Sequence, residues 1–112
     1  MEDVKVWKSG EYLAKQFLIK QKYKILHTNF KTNIGEIDIV AKDKKTIVFV
    51  EVKAKSTLSF GYPREMVTQS KQQKILMVAQ QYQKRYDLFD APCRFDVIEI
   101  LDEKITHIKN AF

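Results

Sequence analysis

Glu36-Ile37-Asp38-Ile39-Val40-Ala41-Lys42-Asp43-Lys44-Lys45-Thr46-Ile47-Val48-Phe49-Val50-Glu51-Val52-Lys53-Ala54-Lys55 is the stretch that decides the fold. Residues 36–42 and 46–55 alternate with period two and are rich in Val and Ile, which is the pattern of strands. A tight turn centred on Lys44-Lys45 pairs residues whose numbers sum to 89. That register sets Ile37 opposite Val52, Ile39 opposite Val50 and Ala41 opposite Val48, giving one wholly apolar face. On the other face Asp38 meets Glu51, and Glu36 meets Lys53. A slip of one residue would oppose charged and apolar side chains and destroy this separation. Lys-Lys is not a favoured two-residue hairpin turn, so the turn type stays open.

Working outward, Lys5–Gln21 reads as a helix, with Trp7, Leu13, Ala14, Phe17 and Leu18 at spacings of three and four. Tyr23–Phe30 reads as a strand, with Tyr23, Ile25 and His27 on one alternation, and Thr32–Gly35 is a turn. Beyond the hairpin, Ser56–Pro63 is a loop punctuated by Gly61 and Pro63. A second helix runs from about Thr68 to Tyr86, with Ile75, Val78, Ala79, Tyr82 and Tyr86 as its buried stripe. Its N-cap is Thr68, or Ser70 in a capping box with Gln73. Asp87–Pro92 ends it. Arg94–Leu101 and Lys104–Lys109 form a second hairpin turning at Asp102-Glu103. The order α-β-β-β-α-β-β predicts an α/β domain: a mixed sheet with one helix against each face. Its 112 residues form one domain, 1–112.

Composition narrows the function classes. A 45% apolar content is enough for one core, and the single cysteine, Cys93, excludes a disulfide framework or a multi-cysteine zinc site. Cys93, beside Pro92, is expected to be a small buried hydrophobe. His27 and His107 lack any Cys/His cluster and read as ordinary core or surface histidines. No apolar run is long enough to span a bilayer and the acidic N-terminus is unlike a signal peptide, so a cytoplasmic protein without membrane association is expected.

Charge says more. The net charge is +6, and Tyr12 to Arg64 holds eleven basic residues against four acids: Glu36, Asp38, Asp43 and Glu51. Such a balance points to a polyanionic partner. Three of those acids sit at strand positions. Two carboxylates about 5 Å apart repel by roughly 3 kcal/mol at an effective dielectric of about 20, and like charges directly opposed in a sheet are unfavourable. A hard divalent cation removes that repulsion, because Mg²⁺ is typically held by one or two carboxylates plus water and phosphate oxygens. On spacing alone, a solvated face with a Glu36–Lys53 ion pair explains the pattern about as well.

The segments Gly35–Ala41 and Val48–Lys53, with Asn29-Phe30, Phe60–Pro63, Val67-Thr68 to Lys71, Phe95-Asp96 and the closing Asn110-Ala111-Phe112, resemble the YraN-type family of small bacterial proteins. That family is grouped with restriction-endonuclease-like nucleases, which carry an Asp…(Asp/Glu)-x-Lys motif, and is similar to archaeal Holliday-junction resolvases. The resemblance implies a three-layer restriction-endonuclease-like fold and a Mg²⁺- or Mn²⁺-dependent endonuclease acting on DNA, branched or structured DNA included. It implies Asp38 and Glu51 as metal ligands and Lys53 as the residue that orients the attacking water. Glu11 resembles the helical glutamate that completes several such sites, with a solvent-facing helix residue as the ordinary alternative. Glu36 is accessory. The Gln-x-x-x-Tyr motif of exonuclease relatives is missing after Lys53.

Lys71 and Lys74, near the start of the second helix, are expected phosphate contacts, and Lys55 and Arg64 flank the loop after the Glu-x-Lys strand. A resolvase-like role calls for a two-fold homodimer. The rival expectation is a non-catalytic or partner-activated nucleic-acid-binding module.

Overall fold

The central hairpin forms in the expected register. In a computed structural model, which describes residues 2–55, 68–102 and 104–112 and side chains from residue 10 onward except Lys55, β2 (Glu36–Asp43) and β3 (Thr46–Lys55) pair antiparallel from Asp43–Thr46 to Ile39–Val50. Lys44 occupies the tight turn at φ +57°, in the left-handed region where glycine is usual. Around the hairpin lie α1 (Glu2–Lys20), β1 (Lys24–Lys31), α2 (Gln69–Arg85), β4 (Cys93–Leu101) and β5 (Lys104–Ile108). The element order is the one read from the sequence. The loop Ser56–Pro63, Arg64 and Glu103, and the side chains of Trp7 and Lys55, lie outside the described residues.

The five strands form one sheet in the order β1-β2-β3-β4-β5. All neighbours are antiparallel except β3 and β4, which run parallel from Ile47–Cys93 to Lys55–Leu101. A parallel pair requires a crossover, and α2 lies on it. One helix covers each face. Against α1, Ala14 and Leu18 bury Ile39, Ala41, Val48, Val50, Val52, Ile98 and Ile100. Against α2, Ile75, Val78, Ala79 and Tyr82 bury Phe30, Ile37, Val40, Ile47, Phe49 and Val97. This α/β/α architecture is compatible with the three-layer restriction-endonuclease-like fold.

Several details depart from the expected pattern. Ile37 packs on the α2 side, away from Ile39 and Ala41. Opposite it in β1, Asn29 takes φ +53° between the Thr28–Ile39 and Phe30–Ile37 pairs, which keep one register. His27 also leaves the α1 side, where Tyr23 and Ile25 pack, because the register shifts between Ile25 and His27. A bulge of this kind re-aims the residues that follow it. His27 instead lies against Phe30, Tyr82 and Tyr86, with Tyr82 Oη 3.1 Å from Nδ1 and Tyr86 Oη 3.1 Å from Nε2. Tyr86 is 41% exposed and so ends the buried stripe early, and Cys93 is exposed, against expectation. Thr68, not Ser70, caps α2: its Oγ1 accepts from the Lys71 N–H at 3.2 Å.

Candidate metal centre

The site begins where the β2–β3 ladder stops. β2 stays paired with β1 to Lys31–Glu36, and β3 stays paired with β4 to Lys55–Leu101. Between β2 and β3, however, the paired register ends at Ile39–Val50. The strands therefore fork from Asp38 onward, and the expected Asp38–Glu51, Ile37–Val52 and Glu36–Lys53 pairings are absent from the ladder; Ile37 and Val52 pack on opposite faces of the sheet. Inside the fork the Val52 N–H donates to Asp38 Oδ2 at 2.8 Å, so a side chain stands where a strand carbonyl would have been.

Two elements bring three carboxylates together at this fork. Glu36 and Asp38 come from β2, where the Thr32–Gly35 turn sets the strand's start: Thr32 Oγ1 accepts from the Ile34 and Gly35 N–H groups. Glu11 comes from α1, beside Gly10. A Cβ on Gly10 would lie 2.7 Å from Ala54 Cβ, so glycine is what lets α1 come this close to β3. One oxygen from each of Glu11, Glu36 and Asp38 lies within 4.8 Å of the others. Asn29 donates through Nδ2 to Glu11 Oε2 at 3.2 Å. The same left-handed residue of β1 thus holds Glu11. The other oxygen, Glu11 Oε1, is buried and has no hydrogen-bond partner among the described residues.

Crowding shows in the electrostatics. Burial, then the charge of Glu51, push the Asp38 carboxyl up to about 7; the Val52 N–H pulls the other way, and Glu11 and Glu36 add to the rise. A group this perturbed, in a cluster of like charges, marks a functional candidate. The donor set is all carboxylate oxygen and includes one buried acceptor that no described residue donates to. Those features fit a hard divalent cation, which would neutralise the repulsion and fill that gap.

Glu51 itself is engaged elsewhere. Strand alternation turns Glu51 and Lys53 to the α2 side with Ile47 and Phe49, and Lys71 Nζ lies 2.7 Å from Glu51 Oε1. Of the expected site residues, Glu11, Glu36 and Asp38 are gathered into one cluster, with Glu51 near enough to raise Asp38 but bound to Lys71. Lys74 is exposed on α2.

A second polar cluster was not read from the sequence. Asp96 is fully buried; its carboxylate lies 2.7 Å from His107 Nε2 and accepts from Arg94 Nε at 3.1 Å and from the Asn110 N–H at 2.9 Å. Arg94 also reaches Asp43 Oδ2 at 3.2 Å and Tyr23 Oη at 2.6 Å. Burial pushes the Asp96 carboxyl up, but His107, the Asn110 N–H and Arg94 outweigh it and hold it below the usual carboxylate range. This network ties β4 and β5 to the hairpin end far from the fork. The sequence signal was Arg94, Asp96 and His107 on strands rich in Ile and Val, with Phe95-Asp96 among the segments that carry the family resemblance.

Fold and fork together define a small α/β/α domain with a carboxylate cluster where two central strands part. More narrowly, the chain belongs to the family described as "Uncharacterised protein family UPF0102", whose model matches residues 10–100. A UPF0102 protein of Clostridioides difficile is 48% identical over 105 residues, covering 92% of each chain. One of Thermodesulfovibrio yellowstonii is 47% identical over 116 aligned positions, covering 100% of this chain and 99% of the relative. One of Persephonella marina is 45% identical over 105 residues, covering 94% and 90%. Among the described residues no helix is long and apolar enough to cross a membrane.

Proposed function

We propose that this chain is a divalent-metal-dependent endonuclease that hydrolyses phosphodiester bonds of DNA, branched or structured DNA included. The observation that carries the proposal is the fork: three carboxylates within 4.8 Å, one of them buried with its pKa raised to about 7. Holding such a cluster in a fold this small is destabilising without a cation, so its presence favours a site over a surface ornament.

In this reading Asp38 is the central ligand, with Glu11 and Glu36 beside it. A bound Mg²⁺ or Mn²⁺ supplies Lewis-acid stabilisation of the phosphoryl oxygens and a more acidic water. The remaining work belongs to the chain. Asn29 fixes the Glu11 carboxylate, and the Val52 N–H fixes Asp38. Lys53, two residues beyond Glu51, orients the attacking water and offsets charge on the pentavalent transition state. Lys71 lies on Glu51; an incoming phosphate would compete for it, and Glu51 would then be available as a further carboxylate to hold the metal. Lys74, Lys55 and Arg64 add phosphate contacts.

The test is cleavage of labelled single-stranded, duplex, flap, four-way-junction and RNA substrates with Mg²⁺ or Mn²⁺. Wild type should cut at least one DNA substrate, and both Asp38→Ala and Lys53→Ala should abolish cutting, as should a chelator. Equal cutting by wild type and both variants would defeat the proposal.

The Lys71–Glu51 pair specifically favours a second reading, in which the chain is a nucleic-acid-binding module activated by a partner. It predicts no cutting by the purified chain, together with binding that weakens steeply with salt, with a log–log slope near −0.9 per neutralised phosphate of duplex DNA. Salt-independent binding would exclude it.

A further inference from the structure

A groove of about 330 Å³ runs between the outer side of α2 and the β1–β2 turn, lined by Ile34, Met77, Gln80, Gln81, Lys84 and Phe89. We propose that it receives an unstacked base of a single-stranded nucleic-acid segment whose phosphates follow α2 toward the carboxylate fork. This rests on the nuclease reading and deepens it, by naming the substrate as one with a single-stranded arm.

The walls suit a base. Phe89 is 59% exposed and Met77 49% exposed, giving an aromatic face and a polarisable thioether for stacking. Gln80 and Gln81 are exposed amides, each offering donors and an acceptor to a base edge. Met77, Gln80, Gln81 and Lys84 fall at i, i+3, i+4 and i+7, so they form one ridge of the helix, and Lys74 continues it by one turn.

The charge selects the occupant. α2 carries Lys71, Lys74, Lys84 and Arg85 and no acidic residue from Gln69 to Arg85. An apolar peptide face would find the stacking surface but gain nothing from the lysines. A single strand uses both, because sequence-tolerant binding combines base stacking with a basic track for the backbone. Arg85 is turned away, with its guanidinium 5.4 Å from the centre of the Phe30 ring, which leaves Lys84 as the cation of the groove.

Phe89 is held outward by the way α2 ends. Asp87 takes φ +54°, and the Leu88 N–H donates to the Gln83 carbonyl at 2.8 Å, closing the helix with a left-handed cap. Leu88 is then packed against the core, and its neighbour Phe89 faces solvent. The stacking surface therefore needs little ordering on binding.

The groove's wall also lies close to the fork along the chain. Ile34 in its wall is two residues from Glu36, so their Cα atoms are at most about 7 Å apart. A Cβ on the intervening Gly35 would sit 3.6 Å from Val78 Cγ2, so the turn rests directly on α2. At the other end of the ridge, Lys71 touches Glu51. From Lys71 to Lys84 the helix rises about 20 Å, long enough for several nucleotides.

The experiment measures binding of a labelled oligothymidylate, and of an abasic oligonucleotide of equal length, to the full chain in chelator. Wild type should prefer the base-bearing strand. Phe89→Ala should weaken that strand roughly 5- to 150-fold and leave the abasic strand unchanged, while Phe89→Trp should retain binding. Equal affinity of wild type for the two strands, or unchanged oligothymidylate binding by Phe89→Ala, overturns the proposal. So does self-association of wild type that Phe89→Ala abolishes, which would assign the groove to a second copy. Asp38-dependent cleavage is scored separately. If it persists without a Phe89 effect, only the groove is wrong. If base binding depends on Phe89 but nothing is cut, only the nuclease reading is wrong.

Discussion

Replacing Asp38 by Asn should stabilise the metal-free protein at neutral pH, although it removes the centre of the candidate site. Asparagine keeps an acceptor for the Val52 N–H but carries no charge into the fork. Asp38 is 7% exposed, and burial, with Glu51 next, raises its pKa from 3.8 to about 7. At about 1.4 kcal/mol per pH unit, that rise sets a ceiling of about 4 kcal/mol. The sign follows from proton counting: between pH 4 and 7 the folded chain holds a proton that the unfolded chain has lost. Folding stability therefore falls as pH rises through that window and levels off above 7. Urea denaturation of both proteins in chelator, from pH 4 to pH 8, should show a gap in favour of Asp38→Asn that grows to a few kcal/mol. Adding Mn²⁺ at a hundredfold its dissociation constant should return about 2.7 kcal/mol to wild type and nothing to the variant. Parallel pH curves, or equal stabilisation of both by Mn²⁺, would refute the reasoning.

Other outcomes follow from single contacts. Asp96→Ala removes the buried carboxylate partner of His107, Arg94 Nε and the Asn110 N–H and should cost about 3–5 kcal/mol at pH 7 by urea denaturation. Because the Asp96 carboxyl is held below its ordinary value, the stability it contributes is present above the unfolded pKa and is lost as pH falls through the folded one, so that deficit should shrink at the acid end. Gly10→Ala gains about 1 kcal/mol of helix propensity but drives a methyl to 2.7 Å from Ala54 Cβ. A net loss of about 1–2 kcal/mol and weaker Mn²⁺ binding by calorimetry are expected, because Glu11 must move with the helix. A more stable variant with intact Mn²⁺ affinity would show that the close approach is dispensable. Lys44→Gly relieves a left-handed turn residue and should stabilise by up to about 1 kcal/mol; a lower thermal midpoint would contradict it.

Local periodicity carried the fold a long way. The alternation of 36–42 and 46–55 gave the correct register, since Ile39–Val50, Val40–Phe49 and Ala41–Val48 all sum to 89. It failed where the backbone leaves regular geometry. Nothing in the spacing announced that Asn29 would take a positive φ, that Ile37 would pack on the opposite face from Ile39, or that a bulge would re-aim His27. The proximity of Asp38 and Glu51 was legible because both lie on one hairpin. The engagement of Glu51 by Lys71 was not, because Lys71 arrives on a helix after a crossover. The Arg94–Tyr23 contact, 71 residues apart in sequence, is likewise a product of tertiary packing.

The two margins of the sheet carry a further consequence. Among the described strands, β1 pairs only with β2 and β5 only with β4, so both present open hydrogen-bonding edges. Such edges recruit strands from other molecules unless they are spoiled. β1 is spoiled by its bulge, by the left-handed Asn29 and by exposed Lys24 and Lys31. β5 is only five residues long, begins with exposed Lys104 and is followed by exposed Lys109. We expect strand-by-strand growth into fibres to be disfavoured; ready amyloid-type assembly of the native chain would contradict this. By the same reasoning, a two-fold pair able to cut two DNA strands symmetrically would be joined through helical or loop surfaces, with each sheet ending inside its own molecule.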